Sequence, residues 1–171
     1  FETIHPFLDG NGRIGRLLIG ALLEHWGLLP EPLVYLSGYL KQHQQEYYRR
    51  LSAVRTEGDW EGWVAFFLEG VALAAHQAER NIVAVAGLLA QDRRRLLAAP
   101  KGGMGSLRLL ELLPMMPRFT IEQVRQRLDT SFPTASAAVR LLVSLGIVAE
   151  LTGQKSHRSF SYAAYVALLA G

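Results

Sequence analysis

His5-Pro6-Phe7-Leu8-Asp9-Gly10-Asn11-Gly12-Arg13-Ile14-Gly15-Arg16 decides how this chain is read, and an amphipathic stretch follows it directly. Gly10 and Gly12 leave the backbone bare where a helix begins. Free N–H groups point outward there, and the helix dipole favours an anion. Asn11 tolerates tight turns and can donate its side-chain amide. Arg13 and Arg16 are three apart, so they share one face of the first helical turn, and each guanidinium can fork onto phosphate oxygens. Asp9 lies just ahead of this cradle. A carboxylate beside phosphates is repelled unless Mg2+ bridges the two. The imidazole of His5 suits removal of a proton from an attacking hydroxyl. Phe7 is expected to anchor the loop in the core. Taken together, the run suits a polyphosphate and a metal ion held beside a general base.

Other readings fit less well. Gly10-Asn11-Gly12-Arg13-Ile14-Gly15 matches the dinucleotide fingerprint G-x-G-x-x-G in form only. That fingerprint needs a preceding buried strand and an alternating βαβ unit, whereas helix follows helix here. A P-loop would need Gly-Lys-Ser/Thr, which the run lacks. A plain helix-capping turn leaves the histidine and both arginines at fixed spacing unexplained.

Working outward, Ile14, Leu17, Leu18, Ala21 and Leu22 predict a buried stripe on a helix from Asn11 to about Trp26, stopped by Gly27, Pro30 and Pro32. Ser37 is expected to cap a second helix from about Gly38 to Arg55, with Leu40, Tyr47, Leu51 and Val54 inward. Asp59 caps a third from Trp60 to about Ala98, buried through Trp63, Val64, Phe67, Leu68, Val71 and Ala75. Gly70 and Gly87 are its weak points. Ala99 to Gly105 reads as a linker. Beyond it the pattern predicts helices at Ser106–Leu113, at Thr120–Leu128 behind a capping box, and at Pro133–Leu145. Strands are expected at Ile147–Leu151 and Phe160–Ala163. Three helices and a hairpin in this order are the winged helix-turn-helix arrangement. The expected fold is therefore mainly α, with a helical core over 1–98, a linker over 99–105 and a winged helix over 106–171.

Composition narrows the chemistry. Among the 171 residues there is no cysteine, which removes disulfides, thiolate metal sites and a cysteine nucleophile. A cytoplasmic setting fits. No apolar run is long enough to span a bilayer, and no membrane partner is expected. His25, His43, His76 and His157 are scattered without metal-pair spacing. Arg93-Arg94-Arg95 reads as a solvated helix face. Residues 1–99 hold 10 Lys/Arg and 11 Asp/Glu, while residues 100–171 hold 8 and 4. Ser131, Thr134, Ser136 and Arg140 are expected on the exposed face of the last winged-helix helix, with Lys155, His157 and Arg158 on the wing. That surface permits phosphate contact, but base-reading residues are sparse. Docking onto protein or self-association into a homo-oligomer is expected ahead of DNA binding. The chain starts at Phe1, four residues before His5, and is expected to be a piece of a longer protein.

The run resembles the motif of the Fic (Fido) family of protein nucleotidyltransferases, His-x-Phe-x-Asp/Glu-Gly-Asn-Gly-Arg-x-x-Arg. His5, Phe7, Asp9, Gly10, Asn11, Gly12, Arg13 and Arg16 match every fixed position. Tyr47-Tyr48 and Glu57-Gly58-Asp59-Trp60 also look like the family, and the resemblance covers about residues 1–98. It implies an all-helical core that transfers AMP from ATP to a Ser, Thr or Tyr hydroxyl of a protein substrate. His5 would be the base, and Asp9 would hold Mg2+. Gly10, Asn11 and Gly12 would form the anion hole, continued by Ile14 and Gly15 at the helix start, with Arg13 and Arg16 on the β/γ end. Tyr47, Tyr48 or Arg55 would line the adenine side. Glycine at 12 favours nucleotide transfer over phosphorylation, because phosphorylating relatives carry lysine there. Relatives that move phosphocholine or remove AMP share most of the motif. The family's upstream helices, flap hairpin and inhibitory Ser/Thr-x-x-x-Glu-Gly/Asn segment have no counterpart in this sequence. A second reading is a regulatory module that binds DNA or protein through the winged helix.

Overall fold

The computed structural model describes residues 1, 4–28, 35–100, 102–154 and 158–170. Of the expectations above, those on Pro30, Pro32, Lys101, Lys155 and His157 lie outside them. The chain divides into two compact units, Phe1–Arg80 and Asn81–Gly171.

In the first unit, α1 (Asn11–His25) starts at Gly10, whose φ of 81° is open to glycine at little cost. The Gly10 carbonyl accepts the N–H groups of Arg13 and Ile14, each at 3.0 Å. Gly27, at φ 69°, turns the chain out of the helix. Where one helix is expected from Gly38 to Arg55, two form: α2 (Leu36–Gln42) and α3 (Gln44–Glu57). The interruption is at His43, where φ −104° and ψ 34° leave the helical range while the imidazole lies tilted against the Tyr39 ring, 4.4 Å between centroids. Ser37 does not cap α2. The helix opens earlier, on buried Leu36, with Tyr35 at the N-cap position and no side-chain cap.

The long helix α4 (Trp60–Ala98) matches its expected span and runs through Gly70 and Gly87 without a break. Asp59 caps it by accepting the Gly62 N–H at 2.9 Å. Glycine is required at 70 because the Tyr39 ring lies against it; a Cβ there would sit 2.5 Å from Cδ1. This unit's core is small: Leu36, Leu40 and Phe66, flanked by Ile19, Tyr39, Tyr47, Trp63, Phe67 and Val71.

Two expected stripes are corrected. Phe66 is the buried residue of this part of α4, and Val64 and Leu68 face solvent. On α1, Ile14, Leu17, Leu18 and Ala21 are exposed, Leu17 by 74%. The helix α2 packs on α1, and Ile19 joins the core. Ile19 lies well round the helix from the Ile14–Leu18 stripe, so apolar periodicity alone picked the wrong face.

The second unit contains the remainder of α4, then α5 (Met104–Leu112), β1 (Arg118–Thr120), α6 (Ile121–Arg127), α7 (Phe132–Ser144), β2 (Ala149–Glu150), β3 (Ser159–Ser161) and α8 (Ala163–Ala170). The strands form one antiparallel sheet in the order β1-β3-β2, with Phe119 opposite Phe160 and Glu150 opposite Phe160. The core is continuous: Leu96, Leu109, Leu110, Leu113, Phe119, Val124, Ala135, Val139, Leu142, Ile147, Val148, Phe160 and Tyr162 are all buried. Thr120 and Gln123 form the expected capping box, and Ser131 caps α7.

β1 and α8 were not expected. β1 is three residues long and follows Pro117, too short for alternation to register. The expected strands shrink to β2 and β3, because Ile147 and Val148 enter the core before pairing begins. The arginine run is not a uniform solvated face. Arg95 donates to Asp92 at 2.9 Å and to the Leu145 carbonyl, and Arg93 pairs with Glu111 at 3.8 Å. Asp92 is 2% exposed and accepts the Tyr162 hydroxyl at 2.7 Å. Burial pushes the Tyr162 phenol well above its usual range, and the Asp92 carboxylate adds to the shift. Among the described residues, no helix is long and apolar enough to cross a membrane.

Candidate functional site

The loop ahead of α1 is closed by one side chain. Asn11 is 2% exposed; its Oδ1 accepts the Phe7 N–H at 3.0 Å and its Nδ2 donates to the Phe7 carbonyl at 2.6 Å. Both backbone groups of Phe7 are thereby paired, and the five residues from Phe7 to Asn11 form a ring. The Phe7 side chain is not the anchor expected from sequence. It is exposed, with the Phe1 ring 6.2 Å away; the loop is held through the Phe7 backbone. His5 is exposed at the start of this loop, in the left-handed region at φ 50°, and its N–H reaches the Phe1 carbonyl at 3.0 Å.

Asp9 shows what the nest favours. Its Oδ1 accepts the Gly10 N–H at 2.6 Å, and its Oδ2 accepts from Arg13 at 3.3 Å. An anionic group thus sits on the backbone and guanidinium donors at the N-terminus of α1. Both side chains are largely exposed, so this ion pair adds little to stability. Gly12 lies with the Arg16 guanidinium beside it; a Cβ there would stand 3.5 Å from Nη1. Ile14 is exposed and Gly15 half-buried on the following turn.

Arg16 opens onto a cavity of about 230 Å³ with Tyr47 and Tyr48. These two rings are 5.3 Å apart. Tyr35, Ser37, Lys41 and Gln44 also line it, and sequence reasoning missed their part. The spacing Ser37, Lys41, Gln44, Tyr48 is a polar face at helical period, a signal obscured by reading Ser37 as a cap. A second cavity, of about 560 Å³, has both Arg13 and Arg16 on its lining, with Tyr35 and Ser37 shared. Arg55, in the last turn of α3, is exposed and lines neither. The structure thus brings Asp9, Gly10 and Arg13 together, and separately Arg16, Tyr47 and Tyr48. Among the described residues no cluster of three or more His, Asp or Glu could hold a metal ion by itself.

Residues 1–23 match the Fic/DOC family. The chain is 66% identical over 29 residues to a probable protein adenylyltransferase of Aquifex aeolicus, a stretch that is 17% of this chain and 9% of that protein. It is 42% identical over 66 residues to the protein adenylyltransferases Fic of Aedes aegypti and Culex quinquefasciatus, which is 39% of this chain and 12% of each relative. The matched stretch spans about a tenth of these relatives' length.

Proposed function

We propose, from the Fic/DOC match of residues 1–23, that this chain is a Fic-family protein and works as a protein adenylyltransferase, moving AMP from ATP to a Ser, Thr or Tyr hydroxyl of a protein substrate. The observation that carries this reading is the Asp9 carboxylate seated on the Gly10 N–H and the Arg13 guanidinium. Those donors are the ones a phosphate would take. Gly10, Asn11 and Gly12 present the nest, Ile14 and Gly15 continue it as helix, and Arg13 and Arg16 receive the negative charge of the departing pyrophosphate.

In the reaction, the substrate hydroxyl oxygen attacks the α-phosphorus. The bond to the bridging oxygen breaks, pyrophosphate leaves, and His5 takes the hydroxyl proton. The residues fit Mg2+ as a substrate-borne ion: one exposed carboxylate, Asp9, with phosphate oxygens completing its coordination, rather than a protein cage. When bound, that ion neutralises phosphate charge beside the nest. Tyr47 and Tyr48 supply an aromatic wall for the adenine beside Arg16, with Arg55 farther along α3. We assign residues 1–98 to the catalytic part, 99–105 to a linker and 106–171 to a winged helix, working in the cytoplasm. The order α5, β1, α6, α7, β2, β3 supports the last assignment.

The test is calorimetric titration with Mg2+-ATP, followed by transfer of α-labelled ATP to protein. Wild type should bind and label. His5→Ala should bind but not label, and Asp9→Ala should lose the Mg2+ dependence of binding. Labelling that survives His5→Ala would refute its role as base.

A further inference from the structure

We propose that the second unit binds a small organic phosphate, a phosphomonoester on an apolar body, in the cavity between the start of α5 and α7. That cavity is about 500 Å³, a size that suits a small molecule. Small residues keep it open. Gly103 and Gly105 bring no side chain to the α5 wall, and Ala137 and Ala138 bring one methyl each to the α7 wall. A Cβ at Gly105 would meet only Thr134 Cγ2, at 4.0 Å.

The α5 wall is a donor surface. The helix begins at Gly103 in extended backbone, φ −103° and ψ 168°, with no side chain capping it. Its backbone hydrogen bonds begin with the Ser106 and Leu107 N–H groups, which donate to the Gly103 carbonyl at 3.1 and 3.2 Å. Among the described residues no carbonyl takes the N–H of Met104 or Gly105, so these donors stand at the positive end of the helix dipole.

Ser106 is the side chain that points to a ligand. It is 6% exposed, and its hydroxyl has no hydrogen-bond partner among the described residues. Among those residues only Glu150 Oε1 is both sealed off and unpartnered, so the Ser106 hydroxyl opens on the cavity it lines. A buried hydroxyl left unpaired costs free energy that a bound acceptor recovers. The other hydroxyls of the lining are taken: Thr134 pairs with Ser131 at 2.9 Å, and Ser144 donates to the Leu141 carbonyl at 2.8 Å. Arg140 supplies the cation. It is exposed on α7, its Nη1 donates to Ser136 Oγ at 2.9 Å, and no described carboxylate lies within ion-pair reach of it. Ser136 itself is buried, a correction to the exposed position expected from sequence. No carboxylate lines the cavity.

Backbone N–H groups, a hydroxyl and a guanidinium suit the terminal oxygens of a phosphomonoester, which carries about −1.5 to −2 charge at pH 7. Ala137, Ala138 and Leu141 face its apolar body. Ser106 lies below the surface, where a terminal phosphate reaches and a phosphodiester flanked by duplex does not. The proposal rests on nothing in the first unit.

The experiment is an amide NMR titration of the full chain with phenyl phosphate and, separately, with inorganic phosphate, with affinities measured by calorimetry. Phenyl phosphate should shift the Met104, Gly105 and Ser106 amides saturably. Inorganic phosphate, which lacks the apolar body, should bind the same amides about tenfold or more weakly. Ser106→Ala and Arg140→Ala should each weaken phenyl phosphate binding by about tenfold. Because the Ser106 hydroxyl is unpaired in the free protein, Ser106→Ala should melt no lower than wild type. Gly105→Leu fills the cavity and should abolish binding without lowering the melting temperature, since leucine is the better helix former. Arg118→Ala, outside the cavity, should bind as wild type. No saturable shift at Met104, Gly105 and Ser106 would overturn the proposal, as would shifts confined to the loop ahead of α1. Equal affinity for inorganic phosphate, an equal loss in Arg118→Ala, or a DNA duplex that occupies the same amides more tightly than phenyl phosphate would overturn it too.

Discussion

Replacing Asn11 with alanine removes both hydrogen bonds that close the Phe7–Asn11 ring. Each is worth about 0.5–1.5 kcal/mol net, so the pair contributes about 1–3 kcal/mol to holding the loop. The loop is largely exposed, and water can re-pair the Phe7 N–H and carbonyl once the side chain is gone. The lower half of that range, about 1–2 kcal/mol, is therefore expected. At 1.4 kcal/mol per decade this is a loss of closed loop of about 5- to 30-fold. Amide hydrogen exchange measured by NMR on the intact chain reads it directly. The Phe7 amide should exchange faster by that factor, while amides in the second unit, such as Val139, keep their wild-type rates. Asn11→Asp makes the argument sharper. It keeps an acceptor for the Phe7 N–H, but it sets a carboxylate against the Phe7 carbonyl and adds negative charge to the nest. Protection should fall and Mg2+-ATP affinity should fall further than in Asn11→Ala. A Phe7 amide unmoved by Asn11→Ala would refute the claim that this side chain closes the loop.

The second unit offers a stability test in Tyr162→Phe, which removes a buried donor to a carboxylate and should lower unfolding free energy by about 1.5–3 kcal/mol in urea melts, with Asp92→Asn milder than Asp92→Ala. Because the folded-state phenol ionises above its ordinary value of 10.0, its contribution is complete below pH 10 and is lost as pH rises beyond it; Tyr162→Phe should flatten that alkaline decline. Hydrogen bonds from Arg49 and Arg50 hold the Glu46 carboxyl at about 2 against 4.5, so its contribution is present above pH 4.5 and fades as pH falls through 2; an NMR titration should find that midpoint, and Arg49→Ala should raise it. Gly70→Ala places a methyl against the Tyr39 ring and should destabilise by about 1–3 kcal/mol despite alanine's better helix propensity, with Tyr39→Ala relieving the penalty in the double variant.

Much of the helical layout was legible because its signals are local. Gly10, Asp59 and the Thr120 capping box mark boundaries through backbone conformation or one side-chain hydrogen bond, and those boundaries stand where local chemistry puts them. Burial was less legible, because it depends on which neighbour arrives. The face of α1 that reads as core from Ile14 to Leu18 points away from the Leu36–Leu40–Phe66 cluster, and only the position of α2 shows this. The same limit hid the Asp92–Tyr162 hydrogen bond, whose partners are 70 residues apart. At the candidate site, the residue types and their order were plain in the sequence. The division of labour in the loop was not: Phe7 supplies backbone rather than a ring in the core, and Asn11 is a buried clasp. Lys41 and Gln44 beside Arg16 were missed because Ser37 was read as a cap, which hid their polar spacing, and because Arg16 reaches the same cavity from a separate helix.

The most direct trial of the nucleotide site uses paired reactions of the protein with ATP labelled at the α- or at the γ-phosphate, in the presence of Mg2+ and a whole-cell protein extract as acceptor. The account predicts that α-label becomes covalently attached to protein, that γ-label is released with pyrophosphate, and that His5→Ala abolishes the attachment. Covalent γ-label, or α-label attached equally well by His5→Ala, would contradict it.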